Sequence, residues 1–469
     1  MLLTERPRPR MIRDHPGAGW LAVATVCFGA FMGQLDASIV TLTFPAVQQQ
    51  FHAPLAAVEW VSLAYLLTLV SLLVAVGQFA DATGRKLMYL HGFALFAVAS
   101  AACGLAPGLG WLVGFRVVQA VGAAMMQANS VALVVTSVPR ERMRSALGVQ
   151  AAAQALGLAL GPTVGGLLVA SLGWQWVYLV NVPIGLIAWI AGRYLLPRTR
   201  ERTPVGGFDW PGLLALTVSS VALLMALSGL SGLHLSTPVI LGLVAVAAVA
   251  AVGFGRRELR TRSPLVDLTA LRPPAVSWGL VGALCGYLVL FGPLTLFPQV
   301  LGAHGSAGLR AGAVLTALPA GFGLAAVTAE RVLPRSWTAR ARALAGAGIT
   351  AAACAALLVA PDSPAWVAGA LVAMGLGLGV FIPANNSSIM AAIPARMSAT
   401  GGGLVNMARS LGTALGVALV ALCLHLDGGA AGARLTLLVL IAIALVAGAT
   451  GLAANRASPA AATGPRAAA

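Results

Sequence analysis

The sequence predicts an all-α integral membrane protein whose chain crosses the bilayer fourteen times. Three observations carry this. Of 469 residues, 59% are hydrophobic and only 9% charged, against about 25% charged in an ordinary soluble domain. The apolar residues gather into runs of about 20, the length a helix needs to span hydrocarbon. The basic residues alternate along the chain in a register that a wrong count of crossings would scramble.

The runs lie at about 17–44, 55–79, 87–106, 109–135, 145–171, 175–195, 210–231, 236–255, 274–300, 310–329, 342–360, 364–384, 399–424 and 434–453. Each must be helical, because lipid offers no partner to a free backbone amide. The first run follows a basic segment, Met1 to Pro16. It is too long for a cleaved leader and lacks a small-residue cleavage site, so it reads as a retained helix. With the N-terminus in the cytoplasm, 25 of the 29 basic residues fall on the cytoplasmic side. Arg116 and Arg409 lie inside runs, and only Arg310 and Arg434 sit near outer loops. Both ends are therefore expected in the cytoplasm. Trp20, Trp60, Trp111, Trp174, Trp176, Trp210, Trp278 and Trp366 lie near run ends, where an interfacial belt places them.

Gln154-Ala-Leu-Gly157-Leu-Ala-Leu-Gly161 in the fifth run echoes Arg409-Ser-Leu-Gly412-Thr-Ala-Leu-Gly416 in the thirteenth. Internal repeats are common in transporters. The echo divides the chain into a tail (1–16), a six-helix unit (17–200), an inserted pair (201–262), a second six-helix unit (263–455) and a disordered cytoplasmic tail (456–469).

Several function classes are excluded. The net charge of +16 is spread in short clusters between apolar runs, not over one face, which argues against nucleic acid. The five cysteines and six histidines show no metal spacing. No nucleophile–base set points to an enzyme, and the loops are too short for a sensor domain.

The chemistry-bearing residues are few. Asp36 lies deep in the first run, where an acid costs about 2.5–3.5 kcal/mol to insert and marks function by default. It is expected to carry a proton; a structural carboxylate paired with an arginine is the alternative. Asp81 sits in Gly77-Gln-Phe-Ala-Asp81-Ala-Thr-Gly84-Arg85-Lys86, the connection between the second and third helices, as an inner gate or an ordinary loop. Arg116, in the fourth run, must face protein or water. It is expected to bind substrate or tune Asp36. Gly157, Gly161 and Gly165 share one face of the fifth run for close packing, with Pro162 and Gly166 beside them as a hinge or seal. Gln34, Gln119, Gln127, Asn129, Gln150, Gln154 and Asn181 in the first unit, with Asn385, Asn386, Asn406 and Arg409 in the second, are cavity candidates or interhelical bonds. Glu59 reads as interfacial, and Glu330 and Asp209 as structural.

Together these segments resemble the major facilitator superfamily, specifically its 14-helix drug:proton antiporter branch, over nearly the whole chain. The Asp36 segment resembles that branch's first-helix motif, with Thr41 where Asn is usual. Gly77 to Lys86 resembles the superfamily's gating motif, with Ala82 replacing Arg. Arg116 to Gly122 is similar to the fourth-helix motif, with Ala120 replacing Gly. Gly157-Leu-Ala-Leu-Gly161-Pro162-Thr-Val-Gly165-Gly166 matches the antiporter motif without departure, and that motif marks exporters. Trp174-Gln-Trp176 through Gly185 resembles the start of the sixth helix in the same branch. The resemblance implies a major facilitator fold of two six-helix bundles that alternate access to a central cavity. It also implies proton-coupled export of small amphiphilic molecules across a bacterial cytoplasmic membrane, by a monomer with no cofactor beyond the proton motive force. A carrier of one metabolite or lipid, or a proton-independent facilitator, remains open on the same fold.

Overall fold

The computed structural model describes residues 5, 8–139, 142–199, 209–233, 235–261, 271–303, 308–334, 336–359, 363–393 and 398–456. The expected disordered tail lies outside these, except for Arg456. Among the described residues, fourteen helices are long and apolar enough to cross a membrane. We number them α1 (Ala18–Ile39), α2 (Trp60–Thr83), α3 (Arg85–Gly104), α4 (Leu109–Ser137), α5 (Met143–Ser171), α6 (Asn181–Leu195), α7 (Trp210–Leu230) and α8 (Thr237–Glu258). The rest are α9 (Pro274–Ala303), α10 (Gly308–Val332), α11 (Ala339–Leu358), α12 (Pro364–Ala392), α13 (Ser398–Asp427) and α14 (Gly429–Arg456). An even number of crossings puts both chain ends on one face, here the terminal face.

The first span does not end where its apolar run suggests. Beyond Ile39 it tightens into a 3-10 turn, Val40–Thr43, and resumes as Phe44–Phe51. The hydroxyls of Ser38, Thr41 and Thr43 each donate to a carbonyl three residues back. Pro45 lacks the amide that an α-turn onto Thr41 needs. Hydroxyl competition and the missing donor together favour the tighter turn. The connection from α2 to α3 is also shorter than the sequence suggests. α2 runs to Thr83 and α3 starts at Arg85, so only Gly84 lies between them, at φ +123°. That conformation suits glycine and little else.

Helix contacts fall into two matching sets. In the first unit α1 packs on α4, α5 and α6, α2 on α4, and α3 on α4 and α6; in the second, α9 packs on α12, α13 and α14, α10 on α12, and α11 on α12 and α14. The glycine echo lies at equivalent places. A Cβ on Gly157 would meet the Phe31 carbonyl of α1, and one on Gly412 the Leu284 carbonyl of α9. Gly161 lies against the Ser38 side chain of α1, and Gly416 against the Leu288 carbonyl of α9. With no side chain between them, the backbones approach closely.

The two bundles meet along two seams, α5 with α10 and α2 with α13. On the first, Gly312 lies against Pro162 and Gly166, and the Thr163 and Thr316 hydroxyls are hydrogen-bonded. α7 lies across the second, touching both α2 and α13, with α8 outside it. Burial agrees: 78% of the apolar window of α9 is covered by protein and only 6% of that of α8. Arg257 of α8 donates to Asp209 at 2.6 Å, and Asp209 also caps α7 by accepting from the Gly212 amide.

Trp111, Trp176, Trp210, Trp278 and Trp366 are exposed near helix ends. Trp174 is not part of that belt. It is buried against Phe51 and Tyr178 and donates to Gln50 at 2.6 Å.

Candidate functional site

Four helices of the first bundle converge on one carboxylate. Asp36 of α1 is fully buried. Its Oδ2 accepts from Arg116 Nη1 of α4 at 2.7 Å, and its Oδ1 accepts from Gln119 Nε2 of α4 and Asn181 Nδ2 of α6, both at 3.2 Å. Gln119 Nε2 also donates to Ser100 of α3 at 2.7 Å, which fixes the amide. The spacing Arg116–Gln119 sets both groups on one helix face, and Arg116 Nη1 donates to Gln119 Oε1 at 2.5 Å.

The guanidinium is held on every side. Nε donates to the Val61 carbonyl of α2 at 2.9 Å. Its plane lies 4.1 Å from the centre of the Tyr65 ring and 5.7 Å from that of Tyr178, where cation–π attraction is strongest in a dry site. Removing either charge leaves the other buried and unpaired, which costs about 3–5 kcal/mol. A proton on Asp36 removes one charge without removing an atom.

Beside Arg116 lies a small cavity of about 10 Å³, room for little more than a water molecule, between the bundles. α1 contributes Ala37, the 3-10 turn after it Thr41, α2 Ser62, Tyr65 and Leu66, and the second bundle Phe291, Thr413 and Val417. Of the sequence-derived cavity candidates none lines it, and Arg116 alone joins it to the carboxylate. Gln119 and Asn181 instead hold Asp36. Asn385 donates to the Gly279 carbonyl of α9 at 2.8 Å. Asn129 and Asn406 bond back to their own helices, at Met125 and Gly402. Gln34 and Gln154 are half-buried, and Gln150 is buried with its amide nitrogen unpartnered. Tyr65, Ser62, Phe291 and Thr413 carried no sequence signal beyond ordinary helix composition. A lone Tyr or Thr in an apolar run says nothing of its neighbours.

Gln127 and Arg409 meet each other. Arg409 Nη2 of α13 donates to Gln127 Oε1 of α4 at 2.6 Å, a hydrogen bond across the bundle interface. Arg409 has no carboxylate partner among the described residues.

The gating segment is divided. The side chain of Asp81 lies outside the described residues. Gly77 faces Ala128 of α4. Lys86 is buried, and its Nζ donates to the Arg193 and Leu196 carbonyls at 3.0 and 2.8 Å, closing the end of α6. The N-terminal tail joins this cluster: Glu5 accepts from Leu87 N and from Thr199 N and Oγ1, and Arg8 Nε donates to the Leu195 carbonyl. These bonds fasten α3 to α6 within one bundle.

The antiporter segment serves two neighbours. Gly157, Gly161 and Gly165 face α1, and Pro162 and Gly166 face α10 of the other bundle. Glu59, expected at the interface with lipid headgroups, is fully buried.

Comparison with known proteins agrees with this architecture. A family model described as Major Facilitator Superfamily matches residues 26–417. The chain is 31% identical over 407 residues to the tetracenomycin C resistance and export protein of Streptomyces glaucescens, covering 86% of this chain and 76% of that one. It is 30% identical over 419 residues to the methylenomycin A resistance protein of Streptomyces coelicolor, covering 88% and 87%. It is 28% identical over 402 residues to the riboflavin transporter RibZ of Clostridioides difficile, covering 85% and 87%. Among solved structures, a bacterial homologue of the human lysosomal transporter Spinster superposes with a TM-score of 0.66 at 17% identity, covering 95% of this chain and all of that one.

Proposed function

Because the chain belongs to the major facilitator superfamily and is a multi-pass membrane transporter with drug-resistance exporters among its relatives, we propose that it is a proton-coupled antiporter. It expels small amphiphilic molecules, drugs or antibiotics, through the bacterial cytoplasmic membrane. The observation that best supports this is the buried Asp36–Arg116 pair, one wall of which opens on the inter-bundle cavity.

Asp36 is the proton carrier in this reading. Arg116, Gln119 and Asn181 all donate to its carboxylate. A proton cancels that charge and leaves Arg116 without its counter-ion, held by Val61 and Tyr65 of α2. The preferred placement of α1 against α2 and α4 then changes. α1 also rests on the glycine face of α5, and α5 forms a seam with α10, so a shift at Asp36 reaches the other bundle. Substrate released on proton binding and proton released on substrate binding give exchange. In this reading Gly84 and the Asp81 segment gate the terminal face, and that face is the cytoplasmic one, a reading the charge asymmetry supports. The protein acts as a monomer.

Magnitudes bound the work. One charge crossing about 150 mV is worth roughly 3.5 kcal/mol, a gradient of a few hundred-fold for a neutral substrate. Arg116 and Arg409 both reach the region between the bundles, and the one carboxylate there among the described residues is already paired. Multivalent cations are poorly suited to it, and neutral or weakly charged amphiphiles suit it better. The riboflavin transporter among the relatives supports a second reading, a carrier for one metabolite on the same fold, with or without proton coupling. A growth-inhibition screen in a pump-deficient host separates the two. Protection against several unrelated compounds supports efflux, and protection against none supports the metabolite carrier.

A further inference from the structure

Glu59 has no part in the mechanism above, yet its surroundings are unusual. It lies one residue before α2, on the face opposite the termini, with 0% exposure. Oε1 accepts from Ser228 Oγ of α7 at 2.6 Å, and the Ser228 oxygen accepts from Trp60 Nε1 at 3.1 Å. The chain of donors is therefore directed: indole, hydroxyl, carboxyl. Oε2 is buried with no partner.

Among the described residues no charge compensates it. α7 carries no charged residue between Trp210 and Ser231, and α2 carries none before Asp81. The segment Phe44–Phe51 has none, and His52 follows it. α13 brings Arg409 at its middle and His425 and Asp427 at its end, with His425 lying against Gly232. Among the described residues, the hydrogen bond to the Glu59 side chain is the one from Ser228. A buried carboxylate with one hydrogen bond and no cation is strongly disfavoured, and the neutral acid is the form that fits.

The location gives this a consequence. α7 belongs to the inserted pair and lies across the α2–α13 seam, one of the two along which the bundles meet. We propose that Glu59 is a second proton-binding residue, and that its protonation decides whether α7 stays fastened across that seam. With the proton on, the acid remains in its dry slot and holds Ser228. With the proton returned to water, the anion draws water in or moves out, and the end of α7 loosens. Binding is fastest from the face opposite the termini, where the site lies. The proton site stands apart from Asp36; only its use in transport rests on the antiport reading.

An infrared pH titration of the full-length protein in liposomes tests this, read at the carbonyl band of protonated carboxylic acids. Wild type shows a band that fades as pH rises. D36N keeps it, E59Q loses it, and S228A keeps it with a displaced midpoint. Hydrogen exchange at residues 224–231, corrected for its intrinsic pH dependence, rises at least about tenfold as the band fades. In E59Q it stays protected throughout. Loss of the band in D36N with retention in E59Q overturns the proposal and leaves the Asp36 reading intact. An unmoved midpoint in S228A, or exchange in α7 that ignores the titration, also overturns it, even where E59Q does not fold.

Discussion

The Asp36 carboxylate meets the Arg116 guanidinium at 2.7 Å, in a place where neither side chain is more than 1% exposed. Such a pair is stable only while both partners keep their charges. Arg116→Ala is expected to destabilise the protein by about 3–5 kcal/mol. The double change D36N with R116Q removes both charges and recovers most of that loss. Thermal melting of wild type, D36N, R116Q and the double variant in detergent gives the coupling directly. Additive losses contradict a pair that acts as a unit.

Lys86 supplies a second test. Its ammonium closes two carbonyls at the end of α6. Lys86→Met leaves both buried oxygens without that donor and costs about 1–3 kcal/mol. Lys86→Arg does not restore stability, because a planar fork cannot replace a compact ammonium there. A residue serving only as a moving gate predicts impaired transport with normal melting.

The glycine face of α5 makes a third. A Cβ at position 161 collides with the Ser38 side chain of α1, so Gly161→Ala is expected to cost about 1–3 kcal/mol. Ser38→Gly in the same protein recovers part of it. Gly148, on the same helix, has open space where its Cβ would lie. Gly148→Ala is neutral or stabilising by up to about 1 kcal/mol. Melting curves of these three variants beside wild type decide it.

The bond between Arg409 and Gln127 spans the two bundles. A hydrogen bond to a charged group contributes about 1.5–3 kcal/mol. Gln127→Leu is therefore expected to shift the balance of bundle arrangements at least about tenfold. In a cysteine-free background, maleimide labelling of Thr413→Cys, on the cavity wall, reports the shift. Equal labelling rates with and without the Gln127→Leu change contradict a clasp.

How much of this could be read from the chain alone varies with the kind of residue. Helix number follows from the length and spacing of apolar runs, because lipid imposes both. The glycine faces were legible because glycine at intervals of four has few other uses in an apolar helix, and Gly157, Gly161, Gly412 and Gly416 all lie where a backbone approaches. Asp36 and Arg116 stood out by the cost of inserting a charge, and their partnership was one of two readings open for Arg116. It joins residues 80 apart in the chain, and no local pattern encodes that separation. Which of the polar amides face a cavity and which bond between helices stayed open for the same reason. Gln119 and Asn181 look like any cavity-lining amide until the carboxylate they serve is in place. Glu59 was misplaced because a position near a run end normally means an interface. Its burial comes from α7, an element that sequence distance separates from it by some 170 residues.

Proton-driven accumulation in proteoliposomes tests the central claim most directly, with a compound first identified by the growth screen. Wild type under an imposed pH gradient drives that compound uphill, and its addition moves protons across the membrane. Asp36→Asn is expected to keep downhill exchange of the compound and to lose both the uphill movement and the proton flux. Uphill transport by Asp36→Asn at the wild-type level contradicts the assignment of Asp36 as the proton carrier.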